Sequence, residues 1–98
     1  MVDDFEAYDD DETGGTAIFQ TWIDGLENGT TSYVGYEVAG NGTFGETVLV
    51  HGGSQSMPLR YSNIETPLYA ETDCTWDEAQ DWTLNGVDTL TLYVRGSN

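Results

Sequence analysis

The chain has 98 residues with 18 Asp plus Glu, 2 Arg, no Lys and 1 His, so its formal charge is 2 − 18 = −16. That charge repels phosphate and anionic membrane surfaces, which argues against nucleic-acid binding and disfavours binding to anionic membranes. One cysteine admits neither an internal disulfide nor a cysteine-built zinc or iron–sulfur site, and one histidine is too few for a histidine metal cluster.

One domain over 1–98 is expected at this length, with no apolar run long enough to span a membrane. Apolar residues at 38% and aromatics at 12% are more than a disordered acidic chain carries. Met1-Val2 runs directly into Asp3-Asp4 with no apolar leader, so a mature chain or fragment is expected. The lysine-free acidic surface suits a secreted, cell-surface or salt-adapted protein that needs counter-cations.

In chain order, residues 2–8 fit a short first strand, with Val2, Phe5 and Tyr8 apolar, and 9–15 form a charged loop. Residues 17–23 are β-branched and aromatic and read as a strand, with Ile18, Gln20 and Trp22 on one face. Asp24-Gly25, Asn28-Gly29 and Asn41-Gly42 mark turns around a second strand at 32–38. A short apolar run, 46–51, ends at Gly52-Gly53. Residues 56–61 alternate, Met57, Leu59 and Tyr61 against Ser56, Pro58 and Arg60. Pro58 cannot donate a ladder hydrogen bond, which puts that strand at an edge or a bulge. Residues 68–76 alternate in the same way. A single helical turn fits around Asp77–Trp82, and Asn85-Gly86 is a further turn. Residues 88–95 are the clearest strand, Leu90, Leu92 and Val94 inward and Thr91, Tyr93 and Arg95 outward. With 12 glycines and turn signals every 8–12 residues or so, the expected class is all-β, a sandwich or barrel.

Three stretches carry a family resemblance. Gly52-Gly53-Ser54-Gln55-Ser56-Met57-Pro58-Leu59-Arg60-Tyr61, then Asp81-Trp82-Thr83 with Leu90-Thr91-Leu92-Tyr93-Val94-Arg95-Gly96, and the opening Asp3-Asp4-Phe5-Glu6, resemble strands of jelly-roll carbohydrate-binding modules of the galactose-binding-like type. Modules of this kind are found beside laminin-G-like domains in large secreted bacterial (planctomycete-like) proteins. The resemblance implies an antiparallel β-sandwich and glycan binding. Such jelly rolls have about eight strands; this chain matches the N-terminal part, so the expected sandwich is either incomplete or completed by another chain through an open edge.

Seven of the acids lie within residues 3–12, and Asp9, Asp11, Thr13 and Gly14 match the opening of a calcium loop, D-x-D-x-(D/N/S/T)-G. Position twelve is Gln20 rather than a bidentate Glu, and no helices flank the loop, so an EF-hand is rejected. The resemblance implies a structural Ca²⁺ near the first strand, with Asp4, Glu6, Asp9, Asp11 and Thr13 as ligands; the alternative is a solvated acidic loop. Sugars stack on aromatic rings while polar groups read their hydroxyls. Trp22, Tyr33, Tyr36, Trp76, Trp82 and Tyr93 are candidates against the alternative of core packing. Trp82 is assigned to the core and Trp22 and Tyr93 to the surface. Arg60 and Arg95 point away from the inward face, able to hold vicinal hydroxyls or to pair with nearby acids.

Catalysis is poorly supported: no carboxylate pair is marked by opposed environments, His51 reads as a loop residue, and Cys74 reads as a small buried hydrophobe with almost no positive charge in the sequence to activate it. Asn28-Gly29-Thr30 and Asn41-Gly42-Thr43 match the glycosylation sequon but read as Asn-Gly turns. The expectation is therefore a non-catalytic carbohydrate-binding or adhesive module, with Trp22, Arg60, Tyr93 and Arg95 holding a glycan and Ca²⁺ fixing the acidic loop. The alternative is a structural self-assembly module, its open sheet edges paired between subunits and its charge neutralised by cations.

Overall fold

The computed structural model describes residues 2–37 and 42–96. Two one-turn helices, α1 (Ile18–Thr21) and α2 (Gly25–Asn28), precede β1 (Ser32–Val34), which pairs antiparallel with β2 (Leu59–Tyr61); a 3₁₀ turn covers Leu84–Gly86. The register sets Ser32 against Tyr61, Tyr33 against Arg60 and Val34 against Leu59. Isolated bridges join Asp9 to Ala17, Ile23 to Asp73 and Glu46 to Ser56.

This overturns the expected β-sandwich: one open two-stranded sheet and two short helices, among the described residues, are too little for two packed sheets. Local hydrogen bonding explains much of the difference. The 17–23 run forms a helical turn instead of a strand because Gln20 Oε1 accepts from Ala17 N at 3.0 Å while its Nε2 donates to the Glu12 carbonyl at 2.9 Å. The expected strand at 32–38 stops at Val34 because Gly35 takes φ +84°, which aims Tyr36 N at the Phe44 carbonyl, 2.9 Å away. Only glycine serves there, since a Cβ would also stand 3.3 Å from that carbonyl and 3.4 Å from Ile18 Cγ2. Val38 and Asn41 lie outside the described residues. In the 46–51 run, Glu46 Oε1 accepts from Val48 N (2.6 Å) and Leu49 N (3.2 Å), a turn that breaks the strand.

The buried apolar core consists of Ala17, Ile18, Val34 and Phe44, flanked by half-buried Phe5, Tyr8, Phe19, Trp22 and Met57. Phe19 meets Phe44 edge-on at 4.8 Å. Polar groups complete the interior. Asp24 is buried: its Oδ1 caps α2 through Leu26 N at 3.0 Å, and its Oδ2 accepts from Val34 N of β1 at 2.7 Å. Gly25 follows because a Cβ there would collide with the Thr30 and Ser32 carbonyls, and Gly29 ends α2 in the left-handed conformation. The Glu71 carbonyl accepts from Asn28 Nδ2 (3.0 Å), Thr30 Oγ1 (3.2 Å) and Ser32 Oγ (2.5 Å), which fastens the extended 69–73 segment to the α2–β1 corner. Both ends of the Asn28 amide are thus occupied internally, since its Oδ1 also accepts from Thr30 N.

Removing the Asp24 carboxylate orphans two N–H groups, one of them buried between elements. Asp24→Ala is expected to cost about 2–4 kcal/mol. Asp24→Asn keeps one acceptor but turns an N–H₂ toward the other donor, so about half that loss is expected in urea unfolding.

Candidate functional site

The acidic N-terminal segment closes on itself through backbone donors. Asp3 accepts from Phe5 N at 2.7 Å, Tyr8 Oη at 2.5 Å and Trp22 Nε1 at 2.7 Å. Asp4 takes Glu6 N, Asp11 takes Gly14 N, and Asp9 takes Asp11 N and the Thr16 hydroxyl. Glu6 Oε1 clamps Ser54 N (2.9 Å) and Gln55 N (3.1 Å), and Gln55 Nε2 returns to the Phe5 and Tyr8 carbonyls. The Gly52-Gly53-Ser54-Gln55 run is therefore a turn held by Glu6. The Thr16 hydroxyl holds the Asp9 carboxyl below the usual carboxylate range. Among the described residues no three His, Cys, Asp or Glu side chains converge as metal ligands. A Ca²⁺ at Asp4, Glu6, Asp9, Asp11 and Thr13 would draw on carboxylates already capping turns.

The expected glycan residues occupy separate neighbourhoods. Trp22 is half-buried against Phe5, ring centroids 5.9 Å apart, and belongs to the interior. The Arg60 guanidinium lies over the Tyr33 ring, 5.5 Å from its centroid, on the exposed side of the β1–β2 pair. Tyr93 stacks on His51 at 3.5 Å and 16°, and Arg95 is exposed. Leu59, Tyr61, Asn63 and Glu71 border a small groove of about 210 Å³ beside β2. Cys74 is half-buried, and burial and Asp3 push its thiol up, away from reactivity.

The more developed aromatic site lies at 74–82. Trp76 and Trp82 meet edge-to-face, centroids 5.4 Å apart and planes at 83°, and both are exposed. With Thr75, Glu78 and Gln80 they line an open cleft of about 320 Å³, Cys74 and Ala79 completing its wall. Asp81 Oδ1 accepts from Thr83 N at 2.9 Å and Thr83 Oγ1 at 2.6 Å, which fixes the turn that carries Trp82 and holds the Asp81 carboxyl below its usual range. Both indoles are among the aromatic candidates of the sequence, but Trp82, expected in the core, is exposed. The signal was available in the polar Asp77–Asp81 stretch between them, which leaves few apolar neighbours to bury either ring.

No family model matches the chain, and no curated protein or solved structure matches it.

Two measurements follow from these contacts. Burial and the bond to Asp3 raise the Tyr8 phenol from 10.0 to about 12, and the Glu46 bond raises Tyr36 as well. A folded-state pKa above the unfolded value stabilises below the unfolded pKa and is lost as pH rises through the folded one. The Tyr8 contribution is thus expected to hold up to about pH 10 and to fall between about 10 and 12, a slope that Tyr8→Phe weakens in pH-dependent thermal unfolding. Second, because the acidic turns are already closed by N–H donors, Ca²⁺ is expected to raise the melting temperature no further than Mg²⁺ at equal ionic strength. A site saturated at 100 times its dissociation constant would instead add about 2.7 kcal/mol, a shift readily seen by calorimetry.

Proposed function

We propose that the chain is a non-catalytic carbohydrate-binding module whose glycan seat is the Trp76–Trp82 cleft. The carrying observation is that exposed edge-to-face pair, bordered by Glu78, Gln80 and Thr75. Two indoles at nearly a right angle offer a flat wall for the C–H face of a pyranose and an edge that limits its slide. An amide, a carboxylate and a hydroxyl beside them can read equatorial and axial hydroxyls. Charge narrows the ligand class: at −16, with no arginine, lysine or histidine among the cleft residues, uronate and sulfated polymers are repelled and neutral glycans are favoured.

The experiment is affinity electrophoresis through a panel of neutral polysaccharides, with tryptophan fluorescence titration of the oligosaccharide that retards the chain. Trp76→Ala and Trp82→Ala are each expected to weaken retention tenfold or more, about 1.4 kcal/mol, with unchanged melting temperature. Trp22→Ala is expected to lower the melting temperature. Retention by no neutral glycan, or retention indifferent to both cleft tryptophans, overturns the reading.

A further inference from the structure

Residues 88–95 alternate, Leu90, Leu92 and Val94 against Thr91, Tyr93 and Arg95. Among the described residues no backbone hydrogen bond ties 88–96 to the rest of the chain. The ring contact that holds this segment to the body is Tyr93 on His51. Side chains alternate across an extended strand, so Leu90, Leu92 and Val94 share one side, and Tyr93, 70% exposed beside His51, lies on the other. The leucine–valine side is open, 60% exposed at Leu90, 75% at Leu92 and 86% at Val94. An unpaired backbone with its apolar side out is a template for pairing with another chain.

We propose that this segment is a self-association edge and that its occupant is the same segment of a second copy, antiparallel about a two-fold axis at Leu92. That register pairs Leu92 with itself and Leu90 with Val94, and so gathers six apolar side chains on one face. Charge favours a second copy at this place. Residues 89–96 carry Arg95 and no carboxylate, in a chain of net charge −16, so two copies meet here without setting acids against acids. A two-stranded ribbon alone is marginal, and the bodies still repel, so the dimer strengthens with salt.

The test is sedimentation equilibrium over a micromolar to sub-millimolar range at low and high NaCl. The wild-type mass is expected to rise from 10.8 kDa to twice that and stop, at lower concentration in high salt. Leu92→Asp sets two carboxylates together on the axis and is expected to hold the monomer mass with an unchanged circular dichroism spectrum. If that spectrum changes, Leu90→Asp takes its place with the same expectation. Trp76→Ala and Trp82→Ala are expected to dimerise like wild type, which separates this proposal from the glycan reading. A wild-type monomer throughout, which would leave the face to some other partner, overturns the proposal. So does mass growing past two copies, or dimerisation by the aspartate variant equal to wild type.

Discussion

Eighteen carboxylates share a chain with two arginines, and the consequence is that N–H and O–H donors take over the work that cations usually do. Asp3, Asp4, Glu6, Asp9, Asp10, Asp11, Asp24, Glu46 and Asp81 each accept from at least one backbone amide. A charge-assisted bond to an amide is stronger than a neutral one, and most of these acceptors are two or three residues from their donor. Such local bonds compete with sheet ladders for the same N–H groups. Where the acids are dense, at 3–12, and where the lone Glu46 caps Val48 and Leu49, the backbone therefore turns. Where they are absent, at 32–34 and 59–61, it pairs.

Asp10, Glu6 and Asp24 show how the same device acts over longer range. Asp10 Oδ1 reaches Phe44 N at 2.8 Å, Glu6 reaches the 54–55 amides, and Asp24 joins α2 to β1. With only four buried apolar residues among those described, apolar burial supplies little directional information. These carboxylate bridges specify which segments meet. Their cost is concentrated at Asp24, the one buried acid among the described residues, where losing the acceptor strands donors in a dry place.

This division explains what was legible in the sequence. Asp24-Gly25 and Asn28-Gly29 bracket α2, and Asn85-Gly86 adopts φ of 61° and 76°, because turn chemistry is written in adjacent residues. The pairing of β1 with β2 lies within two runs that read as strands, 32–38 and the alternating 56–61. The sandwich was not there to be read: alternation at 68–76 and 88–95 states which side chains share a face, but not whether another strand lies alongside. The 17–23 run misled for a different reason. β-branched propensity is weak, and Gln20, with an acceptor and a donor on one amide, overrode it from both ends. The expectation that Trp22 is exposed and Trp82 buried failed on polar neighbours: Asp3 waits for the Trp22 indole N–H, while Trp82 sits in an acidic turn.

The same shortage of cations shapes the outer surface. Apolar side chains from Trp76 to Val94 stay exposed although the core is small, and folding them inward would carry Asp77, Glu78, Asp81 and Asp88 toward a body already rich in carboxylates. Like charges brought together at low dielectric repel strongly, which opposes that burial. Screening lowers that cost for every approach of acids to acids, within one chain or between two, whereas stacking of a neutral ring on Trp76 or Trp82 brings no charge with it. Ionic strength therefore acts on the two apolar surfaces differently: it governs whether the leucine–valine strand can be covered, and leaves the indole pair as available at low salt as at high.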